Sequence, residues 1–399
     1  MTNMESILKK VNKERLVEEF IELAGIDSPS FNERQIADTI IKKVTAMRKI
    51  MAIAKGMSVE VGMEVYEDKG AQVYGGNTGN LYFTLKGNSS ARPVLLMAHM
   101  DTVVPCENKK IIVEGDIIKS DGSTILGADD VAGIVQILEA LRILVEQNIK
   151  HGDIEVVFTF GEEKSLCGAK VLEFDRIKSK IGIVIDNHGV GRVAISGPAQ
   201  YQIEVIFKGK SAHAGVEPEK GLNAIVVAAK AISQMKLGRL DFETTANVGI
   251  ITGGVATNIV CDSCVVEFEA RSRSMDKLEV QVAHMKSVIE SAANQVGTEV
   301  EIKQEFLYPS FNISEDDEFI KIFKKGCEKA GIEPILEATG GGSDTNIISA
   351  KGIKAIDISC GMTDVHTLNE TIKISDLIKG TELLVSIIET IYEVGVGEN

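Results

Sequence analysis

The apolar run "VLLMA" (residues 94–98) leads straight into His99 and Asp101. Side chains at i and i+2 of a strand point the same way. An imidazole at 99 could therefore bind a metal through one ring nitrogen while the carboxylate at 101 takes the other N–H. Alone, an H-x-D reads as readily as a surface or core-bonded pair. Glu162 and Glu163 close a second apolar run in "IEVVFTFGEE". Adjacent acids are common on solvated faces, but at the end of a buried strand both can be aimed into one cleft, one ligating a metal and the other handling protons. Asp129 and Asp130 in "LGADD" open a helical stretch, Asp186 ends "IGIVID", and His366 lies in "DVHTLNE" after the last short strand. Carboxylates and imidazoles gathered at one sheet edge make a metal site.

The elements that must position these residues are legible in the apolar pattern. "ERLVEEFIEL" and "ERQIADTIIKKV" carry helical periodicity, with Leu16, Phe20, Leu23 and Ile36, Ile40, Val44 on single faces. The methionine- and lysine-rich stretch after them reads as a continued helix, then a ragged strand and loop. The runs "VLLMA", "IEVVFTF" and "IGIVID" lack a polar face, as parallel strands covered on both sides do, and "VAGIVQILEALRILVEQ" is the helix between the first two. This predicts an α/β fold, a mostly parallel-core mixed sheet flanked by helices, with ligands at the carboxyl ends of the strands.

After Gly197 the grammar changes. "YQIEVIFKG" alternates, and the following segments read β-α-β-β-α-β, a ferredoxin-like α+β unit inserted into the larger domain. The expected organisation is residues 1–197 and 308–399 for the larger domain and 198–307 for the insertion.

Composition excludes several classes. The 399 residues carry a formal net charge of −15 without a basic run, which argues against nucleic acid and acidic membranes. No stretch approaches the roughly 18 apolar residues of a membrane span. The N-terminal residues do not resemble a secretory signal, so the cytoplasm is the expected compartment. The six cysteines are scattered, and the C-x-x-C of Cys261 and Cys264 has no second pair, so it reads as part of a strand with reduced thiols. The Gly-rich "ATGGGSDTN" lacks G-K-[ST] and follows no strong strand signal, which disfavours a phosphate loop.

Taken in order, "AHMDTV", "LGADDVAG", "TFGEEKSLCGA", "VIDNHG", "GKSAHAG", "GGVATNIV", "EARS", "GGGSDTN" and "HTLNE" resemble the dinuclear-zinc exopeptidase family that includes peptidase T, aminoacylase-1 and carboxypeptidase G2. The likeness is strongest to the peptidase T branch and spans nearly the whole chain. It implies two zinc ions, replaceable by cobalt or manganese. His99 and Asp186 would hold one, Glu163 and His366 the other, and Asp129 would bridge them across a cis Asp129–Asp130 peptide. Asp101 would clamp the ring of His99 and Glu162 would be the general base. In the inserted lid and dimerisation domain, His213 would stabilise an oxyanion, often from the neighbouring subunit of a homodimer. Arg271 would take a substrate carboxylate, with Asn258 and the backbone at Gly342 lining the pocket.

The implied activity is hydrolysis of short peptides by a tripeptide aminopeptidase. The alternatives are an N-acyl amino acid amidohydrolase or carboxypeptidase with the same metal site, and a catalytically silent binding protein. Val131 stands where many relatives carry lysine, "DNHG" puts His188 after the metal aspartate, "FGEE" lacks the Pro-Asp common in peptidase T, and residues 45–78 do not match the family expectation.

Overall fold

The computed structural model describes residues 11–54 and 62–396. The chain divides into two compact units, Ser196–Asn312 with Thr339–Gly342, and the remainder of the described residues. The sequence boundary at 307 falls inside the strand Val300–Tyr308, so the smaller unit runs a few residues further than the pattern change indicated.

In the larger unit the strands Val94–His99, Ile154–Thr159, Ile181–Asn187 and Lys354–Ser359 form a parallel core, in the order Ile154, Val94, Ile181, Lys354 by first residue. Leu81–Leu85 adds antiparallel at one side and Arg192–Gly197 at the other, making a mixed sheet. Every residue of Val94–His99 and of Ile154–Thr159 is buried, which is why these runs show no polar face. The helix Ala128–Glu146 packs on the strands Val94–His99 and Ile181–Asn187 and against the helices Lys13–Ala24 and Ile374–Val396. Its buried face includes Ile134, Leu138 and Leu141.

The helix Arg34–Ala54 continues the early periodic segment into the methionine-rich stretch, as expected, and the short strand Tyr66–Glu67 follows. The part of that stretch at 55–61 lies outside the described residues. The pattern did not anticipate a small antiparallel sheet of Ile111–Glu114, Ile117–Ser120, Met362–Thr363 and Thr371–Lys373, whose strands are too short to show periodicity. Nor did it anticipate the strand Ile335–Ala338 directly before the Gly-rich turn.

The smaller unit is an antiparallel sheet in which Val300–Tyr308, Ala199–Lys208, Ser263–Ser272 and Thr244–Gly253 are neighbours in that order. The helices Ala224–Gln234 and Met275–Asn294 pack on it, giving the ferredoxin-like order of elements. Ser263–Ser272 alternates exposed or half-buried with buried positions, the signature of a sheet covered on one side. All six cysteines are buried free thiols. Among the described residues no helix is long and apolar enough to cross a membrane.

Candidate metal centre

Parallel register brings the chemistry to one edge. His99 pairs with Thr159, three residues before Glu162, and Met97 pairs with Val184, which sets His99 level with Asp186 two residues later on the neighbouring strand. Asp129 and Asp130 precede the regular part of their helix, with non-helical backbone angles and a cis peptide between them. His366 sits in a turn with φ of +61°, a left-handed conformation that a non-glycine residue keeps only when its surroundings enforce it.

These segments converge on Asp129. Its Oδ1 lies 3.0 Å from Nε2 of His99, and its Oδ2 lies 3.2 Å from Nε2 of His366. Asp186 reaches the same nitrogen of His99 at 3.5 Å, and Glu163 reaches that of His366 at 2.8 Å. Three overlapping sets therefore have ligand atoms close enough to share a cation: His99 with Asp129 and Asp186, Asp129 with Glu163 and His366, and His99 with Glu162 and Glu163. His99, Asp129 and Glu162 are buried, whereas His366 is half exposed at its side chain.

The electrostatics describe a site short of positive charge. Burial lowers the affinity of His99 for a proton, but Asp186, Asp101 and Asp129 outweigh it and hold the imidazole well above its ordinary range. His366, bonded to Asp129 and Glu163, is pushed up to about 10. Burial pushes Glu162, Asp186 and Asp130 well above the usual carboxylate range, with Asp186 raising the first and third further and Asp129 raising Asp186. Asp129 is the exception, since its two histidine bonds outweigh burial and keep it low. Among the described residues, the ion pairs of Asp129, Glu163 and Asp186 are to histidine, with no lysine or arginine. Buried carboxylates in this arrangement need compensation, and the protons on two imidazoles stand where cations would supply it. The donor set of nitrogen and oxygen ligands fits zinc.

Asp101 faces the ring of His99 with both its carbonyl and its carboxylate, the carbonyl being nearer. Nδ1 of His99 is 2.8 Å from the backbone carbonyl of Asp101 and 3.5 Å from its carboxylate. That carboxylate also accepts the backbone N–H of Glu162 at 2.8 Å, that of Glu163 at 3.2 Å and the hydroxyl of Ser30 at 2.7 Å.

Three further carboxylates lie around the site, of which only Asp344 falls in one of the motifs that carry the family resemblance, "GGGSDTN". Glu33 accepts the N–H of Gly161, and burial with the nearby Asp101 charge pushes it up to about 7. Asp357 accepts the N–H of Asp186, and Asp344 the hydroxyl of Thr159. Burial raises both, to about 7 and about 6. Val131 is packed in the core and His188 is exposed.

His213, Asn258, Arg271 and Gly342 belong to the smaller unit. The segments of His213 and Asn258 meet, with Ala214 N–H donating to the carbonyl of Asn258 at 2.9 Å and a bridge between His213 and Ile259. His213 is exposed and its Nδ1 accepts the N–H of Gly215. Arg271 donates through Nε and Nη2 to Glu269 on its own strand. A side chain at Gly342 would collide with the ring of Tyr308, at 2.4 Å from its Cβ.

The profile of peptidase family M20/M25/M40 matches residues 95–390. Uncharacterized protein YqjE of Bacillus subtilis strain 168 is 43% identical over 380 residues, covering 95% of this chain and 99% of that protein. The crystal structure of aminopeptidase PepT from Bacillus cereus ATCC 10987 is similar with a TM-score of 0.84 and 42% identity, covering 96% of this chain and 99% of the other. A tripeptidase from Staphylococcus aureus Mu50 is similar with a TM-score of 0.88, 38% identity and the same coverage. The chain therefore belongs to peptidase family M20/M25/M40, and by that membership it is a peptide hydrolase.

Proposed function

We propose that the protein is a dinuclear zinc exopeptidase that acts on short peptides as a tripeptide aminopeptidase. The observation that carries this reading is the Asp129 carboxylate, whose two oxygens face two different imidazoles. His99 and Asp186 would hold one ion, His366 and Glu163 the second, and Asp129 both. Bound there, a zinc pair supplies Lewis acidity toward water and toward a carbonyl oxygen. Glu162 is buried beside this set, and burial with the charge of Asp186 holds its carboxyl well above the usual carboxylate range, which suits a group that handles protons. It takes one from the attacking water and returns it to the leaving amine. Asp101 fixes the backbone that carries Glu162 and Glu163.

For the smaller unit the proposal rests on the family resemblance and on local geometry. With Nδ1 accepting from Gly215, His213 is left with Nε2 to donate, which suits an oxyanion. Arg271 would take a peptide carboxylate through its planar fork, beside Asn258 and Gly342. A homodimer through this unit is part of the same reading. The six reduced cysteines support a reducing compartment, the cytoplasm. The aminopeptidase and tripeptidase relatives support the substrate class.

The test is product analysis with zinc-reconstituted protein on tripeptides, dipeptides and N-acetyl amino acids. Release of the N-terminal residue from tripeptides is expected. Release of the C-terminal residue alone, or turnover confined to N-acetyl amino acids, would favour a carboxypeptidase or an amidohydrolase.

A further inference from the structure

Glu370 is almost fully buried and lies four residues after His366. Its carboxylate reaches across to the segment that carries Asp129. Oε2 accepts the backbone N–H groups of Leu126 and Gly127, each at 2.8 Å, and Oε1 accepts that of Asp129 itself at 3.0 Å. At its own end, the N–H of Glu370 closes a turn onto the carbonyl of Thr367, while the hydroxyl of Thr367 donates to the carbonyl of Asp364. The turn 367–370 thus adjoins the segment 364–367 closed by the Thr367 hydroxyl, which holds Asp364 and His366, both at positive φ. Gly127 also has positive φ, and a side chain there would meet the buried ammonium of Lys109 at 3.1 Å, so the segment is confined from that side too.

From this we infer that Glu370 is a positioning residue for the metal pair, a role that rests on the dinuclear reading above. It locks two chain segments far apart in sequence, so that the oxygens of Asp129 divide between His99 and His366. A carboxylate suits the task because it has two acceptor oxygens and no donor to clash with three converging N–H groups. Glutamine keeps the shape but turns one of those oxygens into an amide NH2. Because Asp129 faces both imidazoles, its displacement should weaken both ions together, whereas His366→Ala should weaken mainly one.

The experiment measures zinc affinity of metal-stripped protein by competition with a chromophoric chelator, for wild type, Glu370→Gln and Glu155→Gln. Glu155 is the comparison because it is a buried carboxylate that likewise accepts backbone N–H groups, those of Lys178 and Ser179, at the opposite end of its strand from Glu162. Expected is a loss of about 10–100-fold in affinity for both ions in Glu370→Gln, with Glu155→Gln unchanged. Unchanged affinity in Glu370→Gln, or an equal loss in both variants, would overturn the role. If Glu370→Gln does not fold, Glu370→Asp is read by the same criteria. A wild type that takes up no zinc would sink the dinuclear reading and this role with it. Two ions in wild type, held equally well by Glu370→Gln, would sink only this role.

Discussion

Asp101 holds Glu162 by its main chain, with carboxylate Oδ1 2.8 Å from the Glu162 nitrogen. The ring of His99 is held by the Asp101 carbonyl, which a side-chain substitution leaves in place. Asp101→Asn should therefore bind zinc at the His99 site much as wild type does, yet lose about 10–100-fold in kcat as the Glu162–Glu163 backbone loses an acceptor. Isothermal titration with zinc and steady-state kinetics on one tripeptide check both halves. A large loss of zinc affinity with kcat intact would make clamping of the His99 ring the main task of this carboxylate.

Glu162→Gln should retain both ions while kcat drops by about 10²–10⁴ and KM stays near wild type, since only proton transfer is removed. Metal analysis of the same preparation used for kinetics makes the comparison direct. A variant that turns over near the wild-type rate would move the general base elsewhere.

Glu33 gives a stability prediction with a definite sign. Its folded-state value of about 7 lies above the usual glutamate value of 4.5, so the folded state holds the proton after the unfolded chain has released it. Stability from this group is complete below 4.5 and is lost as pH rises through 7. The backbone N–H groups of Phe31 and Gly161 both donate to Oε1, while Oε2 has no partner among the described residues, so glutamine can replace the acid without breaking those bonds. Urea unfolding of metal-stripped protein should show Glu33→Gln gaining about 2 kcal/mol on wild type between pH 5 and pH 8. Parallel pH dependence in the two proteins would contradict the assignment.

Arg271 leaves part of its guanidinium fork unused by Glu269. If it receives the peptide's carboxylate, Arg271→Lys should raise KM for free-acid tripeptides about 10–100-fold, the worth of one charge-assisted bond. Substrates with an amidated C-terminus should show little change. Equal effects on both substrates would make Arg271 a structural partner of Glu269.

Much of the fold is legible in the amino-acid sequence itself. The parallel strands announced themselves because burial on both faces removes every polar position, as in Val94–Met97. The smaller unit showed in the alternation of Ser263–Ser272, and the metal-type residues fell together because parallel strands bring their carboxyl ends to one edge. The hold of the Asp101 carboxylate on the backbone of Glu162 and Glu163 has no mark in the sequence, because a backbone partner imposes no residue type. Glu33, Asp357 and Glu370 escaped notice for the same reason. Each supports the site by accepting backbone N–H groups, and a backbone partner imposes no residue type or spacing that a sequence could display.

The central claim is that Asp129 lies between two cations. Anomalous-scattering maps of zinc-loaded crystals, collected on both sides of the zinc absorption edge, test it most directly. Two zinc peaks are expected beside Asp129, one within ligand distance of His99 and Asp186 and the other of Glu163 and His366. A map without a peak there, or with one peak that Asp129 does not touch, would contradict the account.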